Sequence, residues 1–227
     1  INNTDAGAGI SGTNGELVVW GHSGIELTGP VQTDISVPTK IFGSLELGNP
    51  SGSLSITSPN GLDLSGGGML TGVGTYVGDV DVKIGGMIAP GLSGTSRDNT
   101  GVLNVTGNVN FNPGSTAVFE IDADGLDADQ LAATGTISLN SVTIFTLWND
   151  LNTPTPTTNV FNLMSSTGIS GPFLSGGALD ALGVTTSNSS LTATSFQWNA
   201  ISIDPINYWT GLGDNSTWED AGNWVLA

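Results

Sequence analysis

The chain has no cysteine, so disulfide staples and thiolate metal sites are excluded. Stability must come from backbone bonding and an apolar interior. Basic residues are nearly as scarce: Lys40, Lys83 and Arg97 face 20 acidic residues, for a formal net charge of -17. Such a surface repels phosphate backbones and anionic lipid, which argues against any nucleic-acid partner. There is one histidine, His22. With no second ligand or nucleophile to pair with, it defaults to a turn residue. No run of 18 apolar residues and no signal peptide occur, so no direct membrane insertion is expected of this segment. G-x-S-x-G is missing, and no glycine-rich phosphate loop feeds a helix.

What is present is a low-charge chain rich in Gly, Ser, Thr and Asn, with 37% hydrophobic residues placed in short pulses. Leu62 and Leu64, Leu70, Val73, Tyr76, Val80 and Val82, Ile84 and Ile88, Leu103 and Val105, Val109 and Phe111, and Val118 and Ile121 follow one another. In Leu62/Leu64, Val80/Val82, Leu103/Val105 and Val109/Phe111 the apolar residues lie two apart, the period of a strand with one buried face. No window keeps a three-to-four spacing long enough for a helix. Glycines fall between the pulses more densely than the hairpins of a sandwich require, which suits a chain that turns every few residues. A β-solenoid turns in this way, each coil covering the apolar side of its neighbour. The expected fold class is therefore all-β, with a β-solenoid as the architecture.

Residues 1 to 60 repeat the pattern irregularly, with Pro30, Pro38, Pro50 and Pro59 between pulses, where a missing amide donor harms no ladder. At roughly 20 residues per coil and about 4.8 Å per layer, the segment to Asn112 is expected to rise by about 25 Å. The opening Ile1-Asn2-Asn3-Thr4 reads as the middle of a strand-and-turn pattern without an initiator Met, as in a mature or excised segment. From Asn112 the texture changes. Pro113-Gly114 is a turn, and Ala117, Phe119 and Ile121 share one face of a strand. Three strand pulses are expected between Leu131 and Leu147, an excursion over Asn149 to Thr158, and a strand at Val160 to Met164. A loop is expected from Ser165 to Gly183, with a short helical turn at Ala178 to Leu182. The last ladder strands fall in Ser190 to Ile203. Trp148, Phe161, Phe173, Phe196 and Trp198 are candidates for a cap that protects the end of the stack.

The run Leu70-Thr71-Gly72-Val73-Gly74-Thr75-Tyr76-Val77-Gly78-Asp79-Val80, followed by Gly85-Gly86-Met87-Ile88-Ala89-Pro90-Gly91-Leu92-Ser93-Gly94, resembles the glycine-rich segment of autotransporter-type passenger domains. These carry the autotransporter-associated β-strand repeat of large bacterial surface proteins. The likeness extends over roughly Leu62 to Phe173. It implies a right-handed parallel β-helix displayed outside the cell, and so a secreted or cell-surface bacterial location. The tail from Tyr208 to Trp224 resembles the start of a further module in such proteins. The expected organisation is 1–111, glycine-rich coils; 112–203, continued coils with excursions and an aromatic cap; and 204–227, a junction and the start of a Trp-rich module. Tyr208, Trp209, Trp218 and Trp224 are the candidate interface to a neighbouring module or subunit.

Asp122, Asp124, Asp127 and Asp129 surround the Gly125 turn. Calcium takes six to eight oxygens from flexible acidic loops, so these are candidate calcium ligands. An acidic, solvated turn is the other reading, and the closing Glu of an EF-hand is missing. In the family the Asp before Gln130-Leu131 marks a strand start. Calcium bridging between chains is a more diffuse alternative. Lys83 with Asp79 and Asp81 is expected on an outer face as a surface ion pair rather than a lyase site. Pairs of carboxylates for glycoside hydrolysis cannot be singled out among 20 acidic residues. Asn2, Asn104, Asn188 and Asn215 begin N-x-Ser/Thr triplets, which matter only in a glycosylating host. Trp20, at a strand end, is a candidate glycan contact or an edge cover.

These readings add up to a non-enzymatic structural unit that joins copies of itself or neighbouring modules, with end-to-end fibre assembly as its extension. A carbohydrate-binding adhesin recognising surface glycans is the alternative, and a β-helix enzyme acting on polysaccharide is the third.

Overall fold

The computed structural model describes residues 9–10, 16–21, 23–27, 32–35, 37, 39–56, 61–91, 100–122, 127–149, 160–179, 184–203, 207–209 and 224–226. Among them every regular element is a β-strand. The fold is all-β, with parallel and mixed sheets.

A seven-stranded sheet runs in strict chain order through Leu17–Val19, Thr39–Ile41, Leu62–Leu64, Val80–Val82, Val109–Phe111, Thr136–Ser138 and Gly168–Ser170. Each neighbouring pair in it is parallel. A fifteen-stranded sheet holds two further parallel series. One passes through Gly24–Leu27, residues 44–47, 69–72 and 87–90, Thr116–Asp122, Val142–Asn149 and Phe173–Leu179. The other passes through Gly9–Ile10, Gln32–Ile35, residues 53–56 and 74–77, Val102–Thr106, Gln130–Ala133 and Val160–Ser165. Ser44–Ile56 and Met69–Val77 belong to both series, and the register shift between Gly48 and Ser53 marks where the first of them changes series. From Leu17 to Leu179 the chain visits the three series in constant rotation.

Burial explains why these segments are strands. Alternate residues are buried in Leu62–Leu64, Val80–Val82, Met87–Pro90 and Val109–Phe111. Thr116–Asp122 alternates along its whole length, with Ala117, Phe119 and Ile121 inward as the sequence predicts. All three series feed one apolar cluster: Leu64, Val82 and Phe111 from the first, Leu70, Ile88 and Ile144 from the second, and Tyr76, Leu103 and Leu131 from the third. Complete burial of one such side chain contributes about 1.5–3 kcal/mol before chain entropy is counted.

The corner after the seven-stranded sheet is a stack of four-residue turns. Gly68 N–H donates to Ser65 C=O at 2.8 Å, Gly86 to Lys83 at 2.9 Å, Ser115 to Asn112 at 3.0 Å and Val142 to Leu139 at 2.7 Å. Gly66 and Gly67 both have positive φ, as do Asn140 and Ser141, whereas in the two turns between them only Gly85 and Gly114 do. Those two are type II turns, with Pro113 preset for its position. Gly68 is required by close approach: a Cβ there would lie 1.8 Å from the Ile41 carbonyl oxygen of the neighbouring strand.

Three expectations need correction. Ile84, read as a core pulse, is 73% exposed, because it occupies the tip of the Lys83–Gly86 turn. The loop expected at Ser165 to Gly183 contains the strands Gly168–Ser170 and Phe173–Leu179, since parallel neighbours supply their backbone partners despite the glycines. In the expected helical turn, Ala178 and Leu179 are extended for the same reason, and residues 180–182 lie outside the described residues.

The stack ends in antiparallel pairing. Ser195–Ile203 lies against Val160–Ser165 and Val184–Leu191. Phe196 is buried and meets Phe173 edge-to-face, ring centroids 4.9 Å apart. Phe161 is buried as well, so three of the five expected cap aromatics gather here. The side chains of Trp148 and Trp198 lie outside the described residues.

Candidate functional site

Outward side chains of the seven-stranded sheet and its corners form polar ladders from layer to layer. Asp79 Oδ1 accepts from Asn108 N–H at 2.7 Å and from Asn108 Nδ2 at 3.1 Å. Asn108 Oδ1 in turn accepts from Thr136 N–H at 2.9 Å and its hydroxyl at 3.1 Å. A second ladder joins Asp81 Oδ1 to Asn110 Nδ2 at 3.2 Å, and Asn110 Oδ1 to Asn140 Nδ2 at 3.0 Å. Lys83 pairs with Asp81 on the outer face, as the sequence predicts, and lies 4.0 Å from Asp63, whereas Asp79 bonds Asn108 instead. The hydrogen bond to Asp81 holds the Lys83 ammonium above its ordinary range. Burial raises Asp63, and Lys83 partly offsets the shift. Lys40 pairs with Glu16 at 2.7 Å. These carboxylates and amides tie neighbouring strands to one another.

The acidic segment divides. Asp129 is buried and spans two strands: its Oδ1 accepts from Gly101 N–H at 2.9 Å and its Oδ2 from Glu120 N–H at 2.8 Å. Burial pushes its carboxyl up to about 8, against the pull of the two amides. Asp122 and Asp127 sit opposite each other in an antiparallel pair, and Asp127 accepts from the Thr100 hydroxyl at 3.2 Å. Asp124 lies outside the described residues. Among the described residues no group of three His, Cys, Asp or Glu is placed to hold a metal ion. Asp129 immediately precedes the strand Gln130–Ala133, the strand-start place the resemblance implies for it.

Trp20 is 67% exposed and stacks on Phe42, centroids 5.2 Å apart and planes 13° from parallel. Val19 and Ile41 are register partners, so the two aromatics occupy equivalent places in successive layers. Beside Phe42 is an open cavity of about 420 Å³, bordered by Ser23, Ser44, Gly67, Met69 and Met87. In the tail, Asn207–Trp209 pairs antiparallel with Trp224–Leu226, bringing Trp209 and Trp224 into register and Tyr208 opposite Val225. Trp218 and His22 lie outside the described residues.

Two features escaped sequence reasoning. Met87, Val118, Phe145 and Leu147 make a half-buried outward face on the second series, and Leu174 extends it at 55% exposure. Only the register between layers reveals it. A smaller cavity of about 220 Å³ is lined by Val102, Asp127, Gln130, Val160 and Asn162. Among the described residues no helix is long and apolar enough to cross a membrane, which says nothing of strands. No protein-family model matches the chain, and no curated protein matches it in sequence.

Proposed function

We propose that the chain is a right-handed parallel β-helix serving as a structural unit of a bacterial cell-surface or extracellular protein. Its task is to span distance and to join neighbouring modules or copies of itself. The observation that carries this reading is the constant rotation of the chain through three parallel series around one apolar cluster. A solenoid is the simplest path that produces it, because each layer then supplies the next with backbone partners.

The side-chain ladders support the same role. Asp79, Asn108 and Thr136 bind their counterparts in adjacent layers, which suits a rod bearing load along its axis. End-to-end joining is supported by Phe173–Leu179, which ends its sheet with one strand partner among the described residues. Such an edge offers a row of donors and acceptors to another strand. The surface location rests on the resemblance of the glycine-rich segment to autotransporter-type repeats.

The test is electron microscopy of the purified chain over a concentration series, with and without millimolar calcium. The reading predicts narrow rods that lengthen with concentration. Compact particles of constant size at every concentration would remove the assembly claim.

A further inference from the structure

We infer that the Trp20–Phe42 pair and the cavity beside it form a binding site for a neutral oligosaccharide. The inference is independent of the structural role proposed above and goes beyond it.

Ring geometry is the first argument. Trp20 is held on one side by Phe42 in a near-parallel stack, yet two thirds of it remains exposed. A side chain serving only to cover an edge loses its exposure in doing so; this one presents a flat apolar surface already fixed in orientation. Rigid aromatic surfaces bind at low entropic cost, since few rotamers are lost.

The second argument is the cavity. The turn at residues 65–68 carries no side chain beyond Ser65, and a Cβ added at Gly66 would meet the Phe42 ring at 3.4 Å. The space of about 420 Å³ borders Gly67 of that bare turn and the Phe42 ring, on which Trp20 stacks, and lies within the range of small-molecule sites. Its border offers the Ser23 and Ser44 hydroxyls, backbone groups at Gly67, and the polarisable thioethers of Met69 and Met87. Hydroxyls beside apolar atoms match a pyranose ring, which has an apolar C–H face and a polar rim.

Charge selects among ligands. None of the bordering residues is charged. An anionic sugar would enter the field of a chain with net charge -17. A cation could lie over the Trp20 ring, but no carboxylate borders the cavity to hold it. A neutral hexose oligomer is the ligand that meets no uncompensated charge.

The experiment is titration calorimetry of the intact chain with cellohexaose, maltohexaose and mannohexaose, alongside hexagalacturonate and tetramethylammonium. At least one neutral hexaose should bind one to one with a Kd below about 1 mM. Trp20→Ala should weaken that binding about tenfold or more, and Trp20→Tyr should restore most of it. Met87→Glu, a change on an outward and partly exposed side chain, should weaken it similarly with an unchanged melting temperature. The inference is overturned if no neutral hexaose binds at about 10 mM, if Trp20→Ala leaves binding intact, or if tetramethylammonium or hexagalacturonate is preferred. Rod formation by electron microscopy is unaffected by any of these outcomes, so the two readings fail separately.

Discussion

At the residue scale, the most constrained positions are those where two layers come within backbone contact. Gly68→Ala would drive a Cβ into the Ile41 carbonyl, and relief requires separating the layers. We expect a loss of about 3 kcal/mol or more by urea denaturation, in the upper range for single substitutions. Ile84→Ser, in the adjacent turn of the same corner, should stay within about 0.5 kcal/mol because that side chain is already solvated. Asn108→Ala removes a residue that both donates to Asp79 and accepts from Thr136, and should cost about 1 kcal/mol. Asp129 supplies a pH test. Its folded-state pKa of about 8 lies above the unfolded value, so the folded chain holds this proton more tightly. Stability should fall as pH rises from about 4 towards 8. Asp129→Asn should flatten that slope, and an unchanged slope would show that other groups set it. Asp129→Ala should destabilise at every pH, since it strands the Gly101 and Glu120 amides.

At the element scale, the strands were legible where alternation was strict, and the partners were not. Ala117, Phe119 and Ile121 declare a buried face by themselves, because a period of two needs no knowledge of neighbours. Phe173–Leu179 could not be read this way: Ser175, Gly176 and Gly177 break the pattern, and pairing with Val142–Asn149 is what extends them. Ile84 misled for a related reason. It fits the two-residue period from Val82, but the Lys83–Gly86 turn carries the chain from one sheet to the other there and leaves it exposed at the tip. Glycine marked the corners at Ser65–Gly68, Lys83–Gly86 and Asn112–Ser115, while the Leu139–Val142 turn is built from Asn140 and Ser141 at positive φ and carries no glycine signal. The Trp20–Phe42 stack was half legible: Trp20 stood out, but its partner is set by the register of Val19 with Ile41. The closing hairpin tests how the end of the stack is sealed. Phe196→Ala should cost about 3–5 kcal/mol, as for a buried aromatic, and speed hydrogen exchange first in Val160–Ser165 and Gly168–Ser170. Uniform acceleration over the whole chain would mean that the hairpin is not a separable cap.

At the scale of the whole molecule, self-repulsion opposes folding. With 20 acidic residues against three basic ones, added salt should raise the melting temperature by screening, and calcium should do so at lower concentration than sodium if it bridges carboxylates. Equal effects at equal ionic strength would reduce calcium to a screening ion. The central claim is that successive layers lie parallel and in register around one axis. The absence of native cysteine makes it directly measurable. Asn110 and Ser138 are register partners on the outward side of the seven-stranded sheet. At the ~4.8 Å spacing of neighbouring strands, their Cα atoms fall within the window a disulfide spans. The chain carrying Asn110→Cys and Ser138→Cys should oxidise to a single intramolecular bridge and melt at a higher temperature than its own reduced form. A control pairing Asn110→Cys with Ser170→Cys, two layers apart, should stay reduced. Ready bridging in the control, or none in the in-register pair, would contradict the stacked arrangement.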